Sequence, residues 1–229
     1  MVLPPKIPGD QDDIPQNPGN RRTTANYKMD LNQQKGTLRA YYASVSFVDA
    51  LVGKILTALE TTGQRDNTIV IFTSDHGYHL GEHDMWQKVS IHEESAKVPL
   101  IISVPGKKPA VCRSLSELID LYPTVSQLCG LKIPGNIQGK DISGMFDDPS
   151  VKVRDAALSS GKGRLLRTEK WALLDYGKKG ELYDMENDPK QYDNLFEKSE
   201  YADTLAGLKA KLKAKLNEIG KNDLNLNKL

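Results

Sequence analysis

The chain is short of cysteine, of excess charge of either sign and of long apolar runs. Only Cys112 and Cys129 occur among 229 residues. Neither sits in a CxxC or other metal-ligand spacing, which excludes a cysteine-based metal motif. Cys129 falls in an apolar helical pattern and reads as a small buried hydrophobe. Cys112 follows Ala110-Val111 in a strand or loop context. A disulfide between them cannot be deduced, and the redox compartment stays open. With 31 basic against 30 acidic residues the net charge is +1, which gives no electrostatic reason to expect nucleic acid or a membrane surface as partner. No unbroken apolar run approaches the roughly 20 residues of a bilayer span. The start, Met1 to Lys6, lacks the apolar core of a secretory signal. The expectation is a protein that stays where it is made, or a longer chain whose start is missing, with localisation undetermined.

The length and the 38% hydrophobic content fit one sizeable core with a small second domain. No internal repeat is visible. Residues 1–36 are rich in Pro, Gly, Asn, Asp and Gln and read as a loop or linker; Pro4, Pro5, Pro8, Pro15 and Pro18 exclude a regular helix early on. From Leu38 the pattern changes. Tyr41, Tyr42, Val45, Val48, Val52, Ile55, Leu56 and Leu59 recur at three- and four-residue steps, which predicts an amphipathic helix ended near Gly63. The β-branched run Thr68 to Phe72 predicts a fully buried strand, and Val98 to Val104 a second one starting at Pro99. A helix with Leu115, Leu118, Ile119, Tyr122, Val125, Leu128 and Leu131 on one face follows, with Pro123 marking a kink or a start. Strands alternating with helices predict a layered α/β domain over 37–150. Beyond about residue 150, segments 163–168, 171–175 and 181–184 predict an antiparallel meander. A helix over about 202–219 and a frayed tail over 220–229 complete a small subdomain at 151–229.

The first buried strand runs into Ser74-Asp75-His76-Gly77. Ligands bind at the carboxyl ends of strands in open α/β sheets. Asp75 offers a hard anionic oxygen and His76 a neutral nitrogen, so the pair is a candidate metal site; a simple strand-ending turn accounts for the same residues. Lys88 is a candidate for holding an anionic group as a point charge, against the base rate of a solvated lysine. Trp86 either lines a pocket or packs under the loop. His79, His83 and His92 crowd into fourteen residues of a chain with four histidines. They are candidates for substrate contacts or a general acid, though each singly is more often a packing residue. Arg164, Arg167 and Lys170 lie on the meander, where exposed charges are ordinary.

The ordered set of segments resembles the sulfatase family of the alkaline-phosphatase-like superfamily, and within it the iduronate-2-sulfatase-like members. The resemblance rests on Tyr41 to Asp49, Thr73 to His83 and Trp86-Gln87-Lys88. It continues through Val98 to Ile102, Glu117 to Thr124, Arg167 to Trp171, Glu181 to Asp184 and Asn187-Asp188-Pro189. It implies a fold class of α/β, part of an alkaline-phosphatase-like α/β/α sandwich plus a small C-terminal antiparallel-sheet and helix subdomain that helps close the pocket. It further implies hydrolysis of a sulfate ester, on a sulfated small molecule or glycan, at a Ca2+-type cation site. Asp75 and His76 match metal ligands, and Lys88 matches the sulfate-binding lysine. His79 and His83 would lie at the pocket mouth as substrate contacts. The family suggests a periplasmic, secreted or lysosomal setting.

The departures from the family are specific. Sulfatases mature a cysteine to formylglycine in a Cys-x-Pro/Ala-Ser-Arg context. Cys112 precedes Arg113-Ser114-Leu115, and Cys129 precedes Gly130-Leu131-Lys132. The family's N-terminal paired aspartates and its N-terminal Lys and His are absent as well. The chain therefore looks like the C-terminal half or so of a sulfatase, without a catalytic nucleophile. Weak cation binding, exposed apolar edges and completion by a partner chain or aggregation are expected. Oligomeric state is open. Two other readings stay alive: a zinc phosphatase or phosphodiesterase of the same superfamily, and a non-catalytic truncated fragment.

Overall fold

In the computed structural model, residues 1–15, 22–88 and 90–219 are described. The tail at 220–229 and Pro18 lie outside them. The chain divides into two compact units, Met1–Lys107 and Lys108–Leu229. The division falls ahead of the change in composition near residue 150, so the segment around Glu117 to Thr124 groups with the meander.

In the first unit, a short turn of helix, α1 (Thr24–Tyr27), precedes α2 (Leu31–Thr61). The long helix starts seven residues before Leu38, inside the stretch read as a loop. Asp30 and Gln33 form a reciprocal capping box there, which satisfies two of the otherwise orphaned donors of the first turn. Gly63 lies just past the end, at φ +67°, the left-handed conformation that glycine tolerates best. By length and composition α2 is sufficient to cross a membrane. A criterion of unbroken apolar runs misses this, because polar residues are interspersed along it.

The buried strand expected at Thr68–Phe72 is instead β1 (Val70–Thr73), and none of its residues is buried. It pairs antiparallel with β4 (Leu100–Ser103), with Phe72 opposite Ile101. Pro99 stands immediately before β4, as its missing N–H requires. Among the described residues these two strands form a sheet of their own. Phe72 and Ile101, opposite each other in this two-stranded sheet, are exposed. Between them, β2 (His79–Leu80) and β3 (Trp86–Gln87) make a small hairpin, followed by the helical turn α3 (Glu93–Ala96).

In the second unit, α4 (Leu121–Leu128) carries Pro123 in its first turn, where a missing N–H costs nothing. Cys129 caps this helix and is exposed, and Cys112 is exposed too; both are free thiols. Helical periodicity therefore misplaced Cys129, because the helix ends before its apolar face can carry it inward. The meander has four strands rather than three: β5 (Ala157–Ser160), β6 (Arg164–Arg167), β7 (Trp171–Asp175) and β8 (Gly180–Asp184). The short, serine-rich β5 gave no strand signal of its own. Register places Leu158, Leu166, Leu173 and Leu182 in one row across all four strands. Helix α5 (Ala202–Ile219) buries Leu208 and Leu212 in the same core. Burying a leucine is worth about 1.5–3 kcal/mol, so this row and its helix anchor the unit.

Candidate functional site

Strand β1 delivers Ser74-Asp75-His76-Gly77 as a sharp turn. The Ser74 hydroxyl donates to the His76 carbonyl at 2.8 Å, and the Gly77 amide donates to the Ser95 carbonyl at 2.8 Å. A Cβ on Gly77 would stand 2.0 Å from the Glu94 carbonyl oxygen. The backbones approach so closely that only glycine fits.

His76 Nδ1 lies 2.8 Å from the Gly77 carbonyl oxygen. A carbonyl only accepts, so this contact assigns the proton to Nδ1 and leaves the lone pair on Nε2. That lone pair meets Lys88 Nζ at 2.8 Å, and the Asp75 carboxylate stands 3.6 Å from the same nitrogen. The Asp75 side chain is 84% exposed. A carboxylate and an imidazole whose tautomer is set by a backbone acceptor are the donors a divalent cation takes. The residues present therefore fit two ligands of a cation site. Among the described residues no group of three or more His, Cys, Asp or Glu is arranged to hold a metal ion.

The β2–β3 hairpin explains how Lys88, twelve residues on, returns to His76. His79 pairs with Gln87, so the next residue emerges beside the turn. The reversal uses left-handed backbone at Gly81, His83 and Asp84, and Gln87 adopts it just before Lys88. Trp86 packs beneath the loop, donating from Nε1 to Thr24 Oγ1 at 2.9 Å.

His79 and His83 do not lie at a pocket mouth. Both are 1% exposed, as is His92. The three rings pack with centroids 4.8–6.1 Å apart. Their surroundings come from the segment read as a linker. Asp10 Oδ1 accepts from His83 Nδ1 at 3.1 Å, and the Gln11 side chain donates to the His83 carbonyl. Lys6 pairs with Asp84 at 2.8 Å. Nothing local to Asp10 advertises this, since its partner is 73 residues away. His79 Nε2 meets Ser90 Oγ at 2.6 Å. Burial, and then the neighbouring His92 and His83, push the His79 pKa down to about 3. An unfolded His79 titrates near its ordinary value of 6.5. Between pH 6.5 and 3 the unfolded state therefore binds more protons than the folded one. The contribution of neutral His79 is fully present above pH 6.5 and is lost as pH falls toward 3. The first unit should lose stability on the order of a few kcal/mol across that window, and His79→Gln should flatten the loss. Urea titrations at pH 7 and pH 4 check this; equal slopes for both proteins would refute it.

The second unit holds an open groove of about 630 Å³ lined by Lys140, Lys152, Arg154 and Lys170 among others. Its cations are largely compensated. Lys152 pairs with Glu169, Lys170 with Asp184 and Glu186, and Arg154 with Glu117 and Asp120. Arg167 bonds backbone carbonyls of its own turn, and Arg164 begins the exposed end of β6.

A sulfatase family model matches residues 11–131, more than half of the chain. The chain belongs to the sulfatase family. A second family model, of the N-sulphoglucosamine sulphohydrolase C-terminal region, matches residues 81–218 of this sulfatase chain. The N-acetylglucosamine-6-O-sulfatase of Bacteroides thetaiotaomicron is 32% identical over 183 residues, 72% of this chain and 33% of that protein. An arylsulfatase of Clostridium perfringens is 30% identical over 207 residues, 81% of this chain and 43% of that protein. The chain thus spans about a third to two-fifths of the length of these relatives. A solved 2-O GAG sulfatase superposes with a TM-score of 0.82 at 25% identity, covering 100% of this chain and 54% of that one. The fold is accordingly part of an alkaline-phosphatase-like α/β domain with its small C-terminal sheet-and-helix region. The family generally uses a metal ion and formylglycine.

Proposed function

We propose that this sulfatase chain contributes the sulfate-binding lysine and two metal ligands to a sulfate ester hydrolase acting on sulfated carbohydrate, with Ca2+ as the cation. The observation that carries the reading is the convergence of Lys88 Nζ and the Asp75 carboxylate on the Nε2 lone pair of His76, at 2.8 and 3.6 Å. Support for the substrate class comes from a solved relative, 31% identical with a TM-score of 0.72, in complex with D-glucosamine-2-N,6-O-disulfate. The finer iduronate-2-sulfatase-like placement is part of this proposal.

Each residue has a distinct task. Asp75 supplies anionic oxygen and His76 a neutral nitrogen held in orientation by the Gly77 carbonyl. Lys88 places a fixed positive charge against an anionic sulfate oxygen. A bound divalent cation supplies Lewis-acid polarisation of the ester. His79 and His83, being buried, support the hairpin that presents Lys88 instead of touching substrate.

Two cation ligands fall short of the six to eight oxygens calcium prefers, and neither cysteine has the formylglycine context. The 229-residue chain by itself is therefore expected to turn over an aryl sulfate no faster than buffer, and to bind Ca2+ with a Kd of about 1 mM or weaker. Calorimetry and a chromogenic sulfate assay check this. Turnover that Asp75→Ala abolishes would overturn it.

A phosphoester reading has one observation in its favour. A phosphonate monoester hydrolase from Silicibacter pomeroyi superposes at 25% identity with a TM-score of 0.68. Parallel assays with sulfate, phosphate and phosphonate esters, on the chain together with the rest of a sulfatase domain, decide between the two. The sulfate reading expects sulfate turnover at least tenfold above the others and lost on Lys88→Ala.

A further inference from the structure

The hairpin that leads to Lys88 is built on unfavourable backbone. Among the described residues five non-glycine residues have positive φ, and His83, Asp84 and Gln87 of this one loop are three of them. Each gives up the extended or right-handed backbone that a side chain favours. Such strain persists only where surrounding contacts over-determine it. The hairpin's own ladder is two residue pairs long, His79 with Gln87 and Leu80 with Trp86, and a two-stranded hairpin alone is marginal in water. The contacts that hold it come from residues 4–11. Asp10 Oδ1 accepts from His83 Nδ1 at 3.1 Å, with both side chains buried. Gln11 donates to the carbonyl of the same residue. Lys6 meets the Asp84 carboxylate at 2.8 Å in a more exposed pair. Pro4 lies over Gly81, where an added Cβ would stand 3.4 Å from the proline ring. His83 also faces the other half of the candidate site. Its Nε2 stands 3.9 Å from the Glu94 carboxylate, and the backbone of Glu94 and Ser95 is what the Gly77 turn closes against. One buried imidazole thus stands between the hairpin that presents Lys88 and the helical turn that supports His76.

We propose that residues 4–11 are a strap across the β2–β3 hairpin, and that Asp10 is a positioning residue for Lys88, acting through His83. The proposal rests on the proposed function for one thing, that Lys88 is the sulfate-binding group. Lysine recognises an anion as a point charge on a flexible stem, so its usefulness depends on a fixed origin for that stem. The strap sets that origin, because it holds the strained turn that ends at Lys88. Without the Asp10 carboxylate, the buried Nδ1–H of His83 loses its acceptor, which costs the full desolvation of that donor. The turn then gains by opening: His83 reaches solvent, the left-handed residues relax, and Lys88 leaves His76.

The test uses the 229-residue chain and needs no turnover. Long-range nitrogen–proton NMR follows His76 Nε2, and Lys88→Ala fixes where that resonance lies without its partner. Asp10→Ala should carry it more than half of the way to that position. Exchange of the Gly81 and Met85 amides, which close the turn, should quicken at least tenfold, while the α2 amides near Leu38 keep their rates. Asp10→Asn retains an oxygen that can accept the same proton and should restore both readouts. If Asp10→Ala does not fold, Gln11→Ala decides, with a smaller shift in the same direction expected. A role in general stability alone would speed both sets of amides alike and leave the Lys88 contact intact in the folded molecules. Four outcomes overturn the proposal: a His76 resonance unmoved in the folded variant, equal quickening in α2 and the hairpin, Asp10→Asn behaving as Asp10→Ala, or a wild-type resonance that matches Lys88→Ala. Full sulfate ester turnover by Lys88→Ala, in the chain together with the rest of a sulfatase domain, refutes the proposed function instead and leaves the strap's own readouts to stand or fall as above.

Discussion

Asp120→Ala is expected to lower the stability of the second unit by about 3–5 kcal/mol, the scale for breaking a buried charge pair. The side chain is fully buried and every acceptor on it is used. Oδ1 takes the Lys140 amide at 2.8 Å and the Arg154 guanidinium, and Oδ2 takes the Glu117 amide at 2.8 Å. Glu117 meets the same guanidinium at 2.6 Å and accepts the Leu158 amide at 2.7 Å. These bonds tie α4, the 138–142 loop, Arg154 and the start of β5 together. Truncation would leave two amides and part of a buried guanidinium without an acceptor, and each stranded group costs its full desolvation. With a urea slope of about 1–3 kcal/mol/M, the midpoint followed by Trp171 fluorescence should drop by more than about 1 M. A Trp86→Phe background isolates that signal, since the chain has two tryptophans. Adding Arg154→Met should recover part of the loss, because the stranded cation goes with it. A midpoint within 0.2 M (roughly the scatter expected of neutral surface changes) would show that the network carries no net stability.

Gly77→Ala should be nearly as damaging, and its damage should fall on the candidate site. The added Cβ would lie 2.0 Å from the Glu94 carbonyl oxygen and 3.2 Å from that of Lys97. Both are backbone atoms, so no side chain can swing away, and the turn itself has to move. A loss of about 3 kcal/mol or more is expected in the first unit, at the upper end for overpacking. The His76 Nδ1 bond to the Gly77 carbonyl is part of that turn, so the fixed tautomer should be lost with it. Long-range nitrogen–proton NMR of His76 reads this directly, as a shift from Nδ1-protonated to a mixture. Gly53→Ala is the control. It sits in α2 with nothing within 4 Å of its added Cβ, and alanine there should stabilise by about 0.5–1 kcal/mol. Equal effects at the two positions would sink the steric account.

The sequence by itself determined the elements whose stabilising pattern is local. Helix α5 appears with the expected bounds. The leucine and aromatic steps of α2 and the strand leading into Asp75-His76 were visible in period and composition. Pro99 and Pro123 marked element starts because a missing N–H leaves few places to stand. Asp75, His76 and Lys88 stood out by residue type alone, and the structure brings Lys88 Nζ to 2.8 Å from His76 Nε2; their metal and sulfate roles belong to the proposed function. Tertiary structure decided which groups meet and which are covered. Asp10 lies in a proline-rich stretch that reads as a linker, yet it accepts from His83. Their partnership depends on chain paths, not on spacing. His79 and His83 look like substrate contacts in a polar loop and are instead interior groups, because the hairpin folds them under itself. The apolar run before Asp75 has the composition of a buried strand and is half exposed. Composition records the burial a strand is suited to. Only the arrangement of layers shows what this chain can cover from its own residues.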